Sequence, residues 1–155
     1  MYSARTGIID SFDLSGNQIS DRVLSTIVGQ WFTGLREIDI SHNVLGRKTL
    51  LALVDTVNAV GSPLQELNLA HMQLTTGQLE MLSEGLFYNT SLLRLNLAHN
   101  EIEDRGGMAL HAAIANEEHT CVLQELDMSW NNMSSCLYVT KRTNKVHSGL
   151  TLNRT

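Results

Sequence analysis

The chain is poor in proline and has no long apolar segment. Its 155 residues include 1 proline and no low-complexity run, which indicates that most of the chain folds. No apolar run is long enough to cross a bilayer, and the opening MYSARTGIIDSFD lacks the apolar centre of a signal peptide. The composition therefore predicts a folded protein that does not associate with membranes.

Cysteine is also scarce. The two cysteines, Cys121 and Cys136, form no CxxC pair and have no further partners. Both are predicted to be unpaired and to pack as small apolar residues in a reducing compartment; the alternative is a disulfide between them. The expected location is the cytoplasm.

Basic residues are few in the body of the chain. Residues 1–140 carry 7 basic and 16 acidic side chains, a net charge of −9, whereas residues 141–155 carry +4. Nucleic acid is therefore excluded as the main partner, because phosphate contacts require a basic surface.

What the chain does contain is one stretch repeated five times. The clearest copy is LLRLNLAHNEI at residues 92–102, and the others are IIDSFDLSGNQI, LREIDISHNVL, LQELNLAHMQL and LQELDMSWNNM. The copies begin at Ile9, Leu35, Leu64, Leu92 and Leu123, so that successive steps are 26, 29, 28 and 31 residues. Self-similarity at such a period is typical of a solenoid.

Each copy predicts a short strand followed by an asparagine. Leu95 and Leu97 are two residues apart and share one side of a strand, while Asn96 points to the other. The asparagine amide can bond the backbone groups that a turning chain leaves unpaired. The predicted asparagine ladder comprises Asn17, Asn43, Asn100 and Asn131. Met72 replaces the amide in the third copy, where we expect a looser bend.

A helix is predicted after the bend in each of the first four copies. In the second copy it covers about GRKTLLALVDTVNAVG, and in the fourth about DRGGMALHAAIAN, with close helix contacts at Ala109, Ala112 and Ala113. Thr75 or Thr76 is the expected N-cap in the third copy. The predicted buried faces are Leu24, Ile27, Val28 and Trp31; Leu50, Leu53, Val54 and Val57; and Leu79, Leu82 and Leu86.

One strand and one helix cannot bury their own apolar sides, so stacked copies must share a core. The expected fold is an α/β arc with a parallel sheet on the concave face and helices on the convex face. The pattern LxxLxLxxNxL, which covers Ile9 to about Met133, resembles the leucine-rich repeat family in the helix-containing subtype of ribonuclease inhibitor. The resemblance implies an arc that binds another protein and needs no cofactor.

The ends lack the polar capping units that such arrays use. We predict a repeat domain over residues 1–133 and a basic, poorly ordered, non-repeat tail over residues 134–155. The chain is expected to be monomeric, and either a fragment of a longer repeat protein or a chain that diverges from the repeat after Met133.

Function is expected on the side chains that alternate outward from the strands. Three such columns are predicted, and a fourth lies at the strand ends. The third column consists of Ser15, Ser41, Ala70, Ala98 and Ser129. The candidate binding residues are Asp13, Glu37, Asp39, His42, Glu66, Asn68, His71, Arg94, Asn96, His99, Glu125, Asp127 and Trp130. Their acidity favours a partner with a basic contact patch, although polar residues are also what any solvated strand face requires.

Metal and enzyme interpretations find less support. His42, His71 and His99 align in register, but a parallel ladder makes a row, not a tetrahedron, so we predict no metal and instead a pH-sensitive surface. LGRKT at residues 45–49 lacks the upstream glycine of a phosphate loop. No catalytic set is indicated, and the predicted protein is not an enzyme.

The preferred hypothesis is thus a non-catalytic protein-interaction module. Two alternatives stay open: a regulatory domain like those of Ran GTPase-activating proteins, by family analogy, and a structural segment of a larger receptor or scaffold.

Overall fold

A computed structural model describes residues 9–115 and 122–134. Five three-residue strands alternate with four helices along the chain. The strands are β1 Ser11–Asp13, β2 Glu37–Asp39, β3 Glu66–Asn68, β4 Arg94–Asn96 and β5 Glu125–Asp127. The helices are α1 Asp21–Trp31, α2 Arg47–Asn58, α3 Thr76–Leu86 and α4 Asp104–Ile114, with a 3₁₀ turn at Phe32–Gly34 after α1.

The five strands form one parallel sheet in the order of the sequence. Equivalent positions of neighbouring repeats lie opposite each other in the sheet. Glu37 and Glu66, each two residues after the first apolar residue of its repeat, form one such pair. The helices pack in the same order, α1 on α2, α2 on α3 and α3 on α4. The predicted solenoid, with its sheet on one face and helices on the other, is confirmed.

A continuous apolar core fills the space between the sheet and the helices. Leu95 and Leu97 are 2% and 0% exposed, and Asn96 is half-buried on the other side, as the strand alternation predicts. The predicted helix faces also point inward, with Val54 and Ile27 only partly covered. The side chain of Trp31 and the whole predicted tail after Ser134 lie outside the described residues.

Two details of packing differ from expectation. Ala113 is buried, but Ala112 is exposed and Ala109 only partly buried. Gly106 also brings α4 close to α3, since an added methyl carbon there would lie 3.4 Å from the Thr76 Cα. The column predicted to continue outward after the strands is also wrong: Ser41, Ala70 and Ala98 are buried. The chain turns toward the core immediately after the third strand residue, which ends the alternation.

Helix starts are linked from one repeat to the next. Asp21, the first residue of α1, accepts bonds from the Lys48 and Thr49 backbone N–H groups at 3.2 and 2.9 Å, at the start of α2. Burial raises the pKa of Asp21, but these bonds, together with the Thr49 hydroxyl and the charge of Lys48, outweigh it and lower the pKa overall.

The third helix is capped within its own repeat. The expected N-cap Thr75 is confirmed, and it forms a capping box with Gln78. The Thr75 N–H donates to Gln78 Oε1 at 2.8 Å, and Gln78 Nε2 reaches back to the Leu45 carbonyl at 2.9 Å. The neighbouring helices α2 and α3 thus begin in two different ways, one with a cap from the preceding repeat and one with a capping box of its own.

Candidate protein-binding surface

The first outward column consists of Ser11, Glu37, Glu66, Arg94 and Glu125, paired in register across all five strands. Arg94 forms an ion pair with Glu66, as its position between two glutamates suggests. Glu37 and Glu125 are exposed. The strands together line an open groove of about 790 Å³, in which these side chains face solvent.

The second outward column consists of Asp13, Asp39, Asn68, Asn96 and Asp127. One oxygen of every member accepts the backbone N–H two residues further on; for Asp13 the donor is Ser15 at 2.8 Å, and for Asn68 it is Ala70 at 3.1 Å. These bonds fold the chain inward at the end of each strand. The column was assigned to binding from the sequence, yet it also has this structural role.

A recurring pattern in the sequence could have revealed that role. Every copy has Asp or Asn at this position and Ser or Ala two residues later. The carboxylate of Asp13 keeps its charge in this arrangement, because hydrogen bonds from the Ser15 backbone and hydroxyl lower its pKa. Asp39 Oδ2 also accepts a bond of 2.7 Å from Asn68 Nδ2, which joins two rungs of the column.

The asparagine ladder lies behind the sheet at the first bend. Asn100 Nδ2 donates to the carbonyls of Leu69, Leu97 and Ala98, while its Oδ1 accepts from the N–H groups of Met72 and Leu74 at 3.0 Å each. Asn43 and Asn131 make the corresponding bonds. Each amide therefore ties its own repeat to the preceding one.

The first and third repeats depart from this arrangement. Asn17 is exposed and bonds only the Leu14 and Ser15 carbonyls of its own repeat. Met72 is fully buried, and the Leu45 N–H that an amide would have bonded donates to the Met72 carbonyl at 3.1 Å instead. The bend without an amide thus exists, while its looseness stays a prediction.

The ring column stands where the strands end, and its members are Gly16, His42, His71, His99 and Trp130. All five have a left-handed backbone, with φ of 68, 56, 54, 54 and 57°. The three imidazoles stack face to face, with centroids 4.2 and 4.1 Å apart, and Trp130 stacks on His99 at 5.2 Å. The sequence predicted the alignment but not the left-handed turn or the stacking.

The stack changes the chemistry of its central ring. Loss of water around His71, together with the repulsion of a second positive charge by His99 and His42, lowers its pKa below the ordinary 6.5. Within the described residues no three metal-binding side chains converge on one point. The rings instead present a continuous π surface beside the acidic groove.

None of the helices in the described part of the chain is both long enough and apolar enough to cross a membrane. A family model described as a leucine-rich repeat matches residues 88–110 and 119–135. These two segments carry the fourth and fifth repeats of the chain.

The chain is also similar to a mouse protein, "NACHT, LRR and PYD domains-containing protein 5". The identity is 28% over 160 residues, which cover 97% of this chain and 13% of that protein, so the chain spans about an eighth of its relative's length. The repeat spacing, the parallel sheet with a helix after each of its first four strands, and these two matches identify the chain as a leucine-rich repeat protein.

Proposed function

We propose that this chain is a non-catalytic interaction module that holds a basic patch of a partner protein against its sheet. The observation that supports the proposal is the open groove, where Glu37 and Glu125 are exposed on one column and the ionised Asp13 on the next. Neighbouring strands are about 4.8 Å apart, so the fields of the carboxylates that they carry add in the groove. The low cysteine content supports the cytoplasm as the location of this binding.

Like charges in register oppose folding, because Glu37 lies opposite Glu66 and Asp13 opposite Asp39. Among the described glutamates of the first column, only Glu66 forms an ion pair with Arg94, which relieves the repulsion there. A cationic partner would relieve the remainder. The same field would accelerate encounter with that partner and would be screened within about 10 Å at 0.1 M salt.

The test uses charge reversal on the groove with a matched control on the helices. Proteins captured from lysate by the wild-type chain are compared with those captured by Glu37→Lys/Glu125→Lys and by Asp55→Lys/Glu84→Lys. The control pair is exposed on α2 and α3 and carries the same change in charge.

For a partner that binds the groove, the first pair should slow association at least about tenfold at low salt, and the control should change it little. Denaturant unfolding of all three proteins shows whether each variant is folded. A partner whose association is insensitive to salt and to the groove reversal would place the binding surface elsewhere on the molecule.

A further inference from the structure

The ring column has one position without a ring. Gly16 donates its N–H to the Ser41 carbonyl at 3.0 Å, just as His42 donates to Ala70 at 3.0 Å and His71 to Ala98 at 3.1 Å. Its φ of 68° is that of the other members. Gly16 is therefore a rung of the same ladder whose side chain is missing.

The missing side chain leaves a slot beside His42. No atom of the described residues lies within 4 Å of a Cβ built on Gly16, so these residues leave the space open. One face of the His42 ring is stacked on His71 at 4.2 Å, and among the described residues no ring stacks on its other face. A flat group placed over Gly16 would extend the stack by one rung.

The charges around the slot select among flat groups. Asp13 lies three residues before Gly16 and is held ionised by the hydrogen bonds from Ser15. Asp21 and His42 both line the neighbouring groove, but the Asp21 carboxylate already accepts hydrogen bonds from the backbone at the start of α2. The slot therefore combines a π face with the negative charge of Asp13 in the same repeat, which suits a guanidinium better than a neutral ring.

We propose that the slot over Gly16 receives an arginine side chain of the partner, which stacks on His42 and faces Asp13. This assignment rests on the proposed function, since the arginine belongs to the same basic patch. A guanidinium is planar and permanently charged and stacks on aromatic faces, whereas an ammonium group has no flat face to place against the ring.

The experiment compares two peptides of equal charge, Ac-(Gly-Arg)4-NH2 and Ac-(Gly-Lys)4-NH2, at pH 8, where ordinary imidazoles are neutral. Affinities are measured by calorimetry, and the ring signals of His42, His71 and His99 are followed by NMR. The arginine peptide should bind about fivefold more tightly, the size of one cation–π contact beside a carboxylate, and should shift His42 most.

Gly16→Asn fills the slot with a small uncharged amide, which tolerates the left-handed backbone and offers no aromatic face. It should remove the preference for arginine. The control is Gly61→Asn, since Gly61 is another left-handed glycine, with φ of 77° and no described atom near an added Cβ. This control should retain the preference.

A second variant covers the case in which Gly16→Asn does not fold. Asp13→Asn keeps the oxygen that bonds Ser15, as Asn68 and Asn96 do in their own repeats, and removes only the charge. It should reduce the preference for arginine by at least half.

Equal affinity for the two peptides, or a preference that survives Gly16→Asn, would overturn the arginine assignment. If both peptides bind equally and Glu37→Lys/Glu125→Lys weakens both, the acidic groove keeps its proposed function and only the slot is wrong. If neither peptide binds, both proposals fail.

Discussion

The third and fourth repeats close the same bend with different groups. In the fourth, the Asn100 amide makes five hydrogen bonds to backbone groups, three of them in the repeat before it. In the third, Met72 fills the same place with an apolar side chain, and the Leu45 N–H bonds its backbone carbonyl. Each bend of the solenoid therefore needs hydrogen-bond partners for its backbone polar groups, and a side-chain amide is one of two ways in which these repeats provide them.

The same two repeats share an equivalent apolar core, which provides the first test of the comparison. Leu69 and Leu97 occupy the same position and are both fully buried. Leu69→Ala and Leu97→Ala should each lower the free energy of unfolding by about 2–5 kcal/mol, because each leaves a cavity. Urea denaturation measures both. A loss well under 1 kcal/mol at either site would mean that its strand does not face a core.

Exchanging the two bend residues should sharpen the difference between the repeats. Asn100→Met removes the partners of five buried backbone groups and should cost at least about 3 kcal/mol. Met72→Asn should change the free energy of unfolding by only about 1 kcal/mol, because new amide bonds offset the lost apolar burial. Equal costs in urea denaturation would show that the amides are not what holds the ladder together.

A smaller effect should separate the two ways of starting a helix. Asp21→Ala and Thr75→Ala should each cost about 1 kcal/mol at pH 7 through loss of capping bonds. Because the pKa of Asp21 is lowered in the folded protein, its contribution is complete above 3.8, its ordinary value, and disappears as the pH falls through the lowered pKa. Denaturation at several pH values should therefore show the cost of Asp21→Ala vanishing in acid while that of Thr75→Ala persists.

The smallest expected effect concerns the ring column. The His71 ring should titrate below 6.5 in NMR, and His42→Gln or His99→Gln should each raise its pKa. Since the pKa of His71 is depressed by folding, its share of the stability is complete above 6.5 and is lost as the pH falls through the lowered value. An unperturbed titration of His71 would contradict the stacked arrangement.

The sequence predicted which residues share a column of the candidate surface, but not the structural roles of those residues. Glu37, Glu66 and Arg94 were placed in register by counting from the first apolar residue of each repeat, and the sheet has that register. The turn-forming bonds of Asp13 and its counterparts were missed, because alternation says only which side a residue faces. The burial of Ser41 and Ala98 was missed for the same reason: alternation holds only while the strand lasts.

The sequence by itself determined the repeat, the strand and helix within each copy, and the side chains that form the core. These follow from local spacing, which a short stretch of chain carries on its own. The tertiary structure alone decided which backbone groups of the preceding repeat the three buried or half-buried asparagines bond, which helix Asp21 caps, and that His42, His71 and His99 stack. Those contacts join residues 24 to 34 positions apart, as in Asn43 with Ile19 and Asn131 with Leu97, and they exist only once stacking has set the distance between neighbouring repeats.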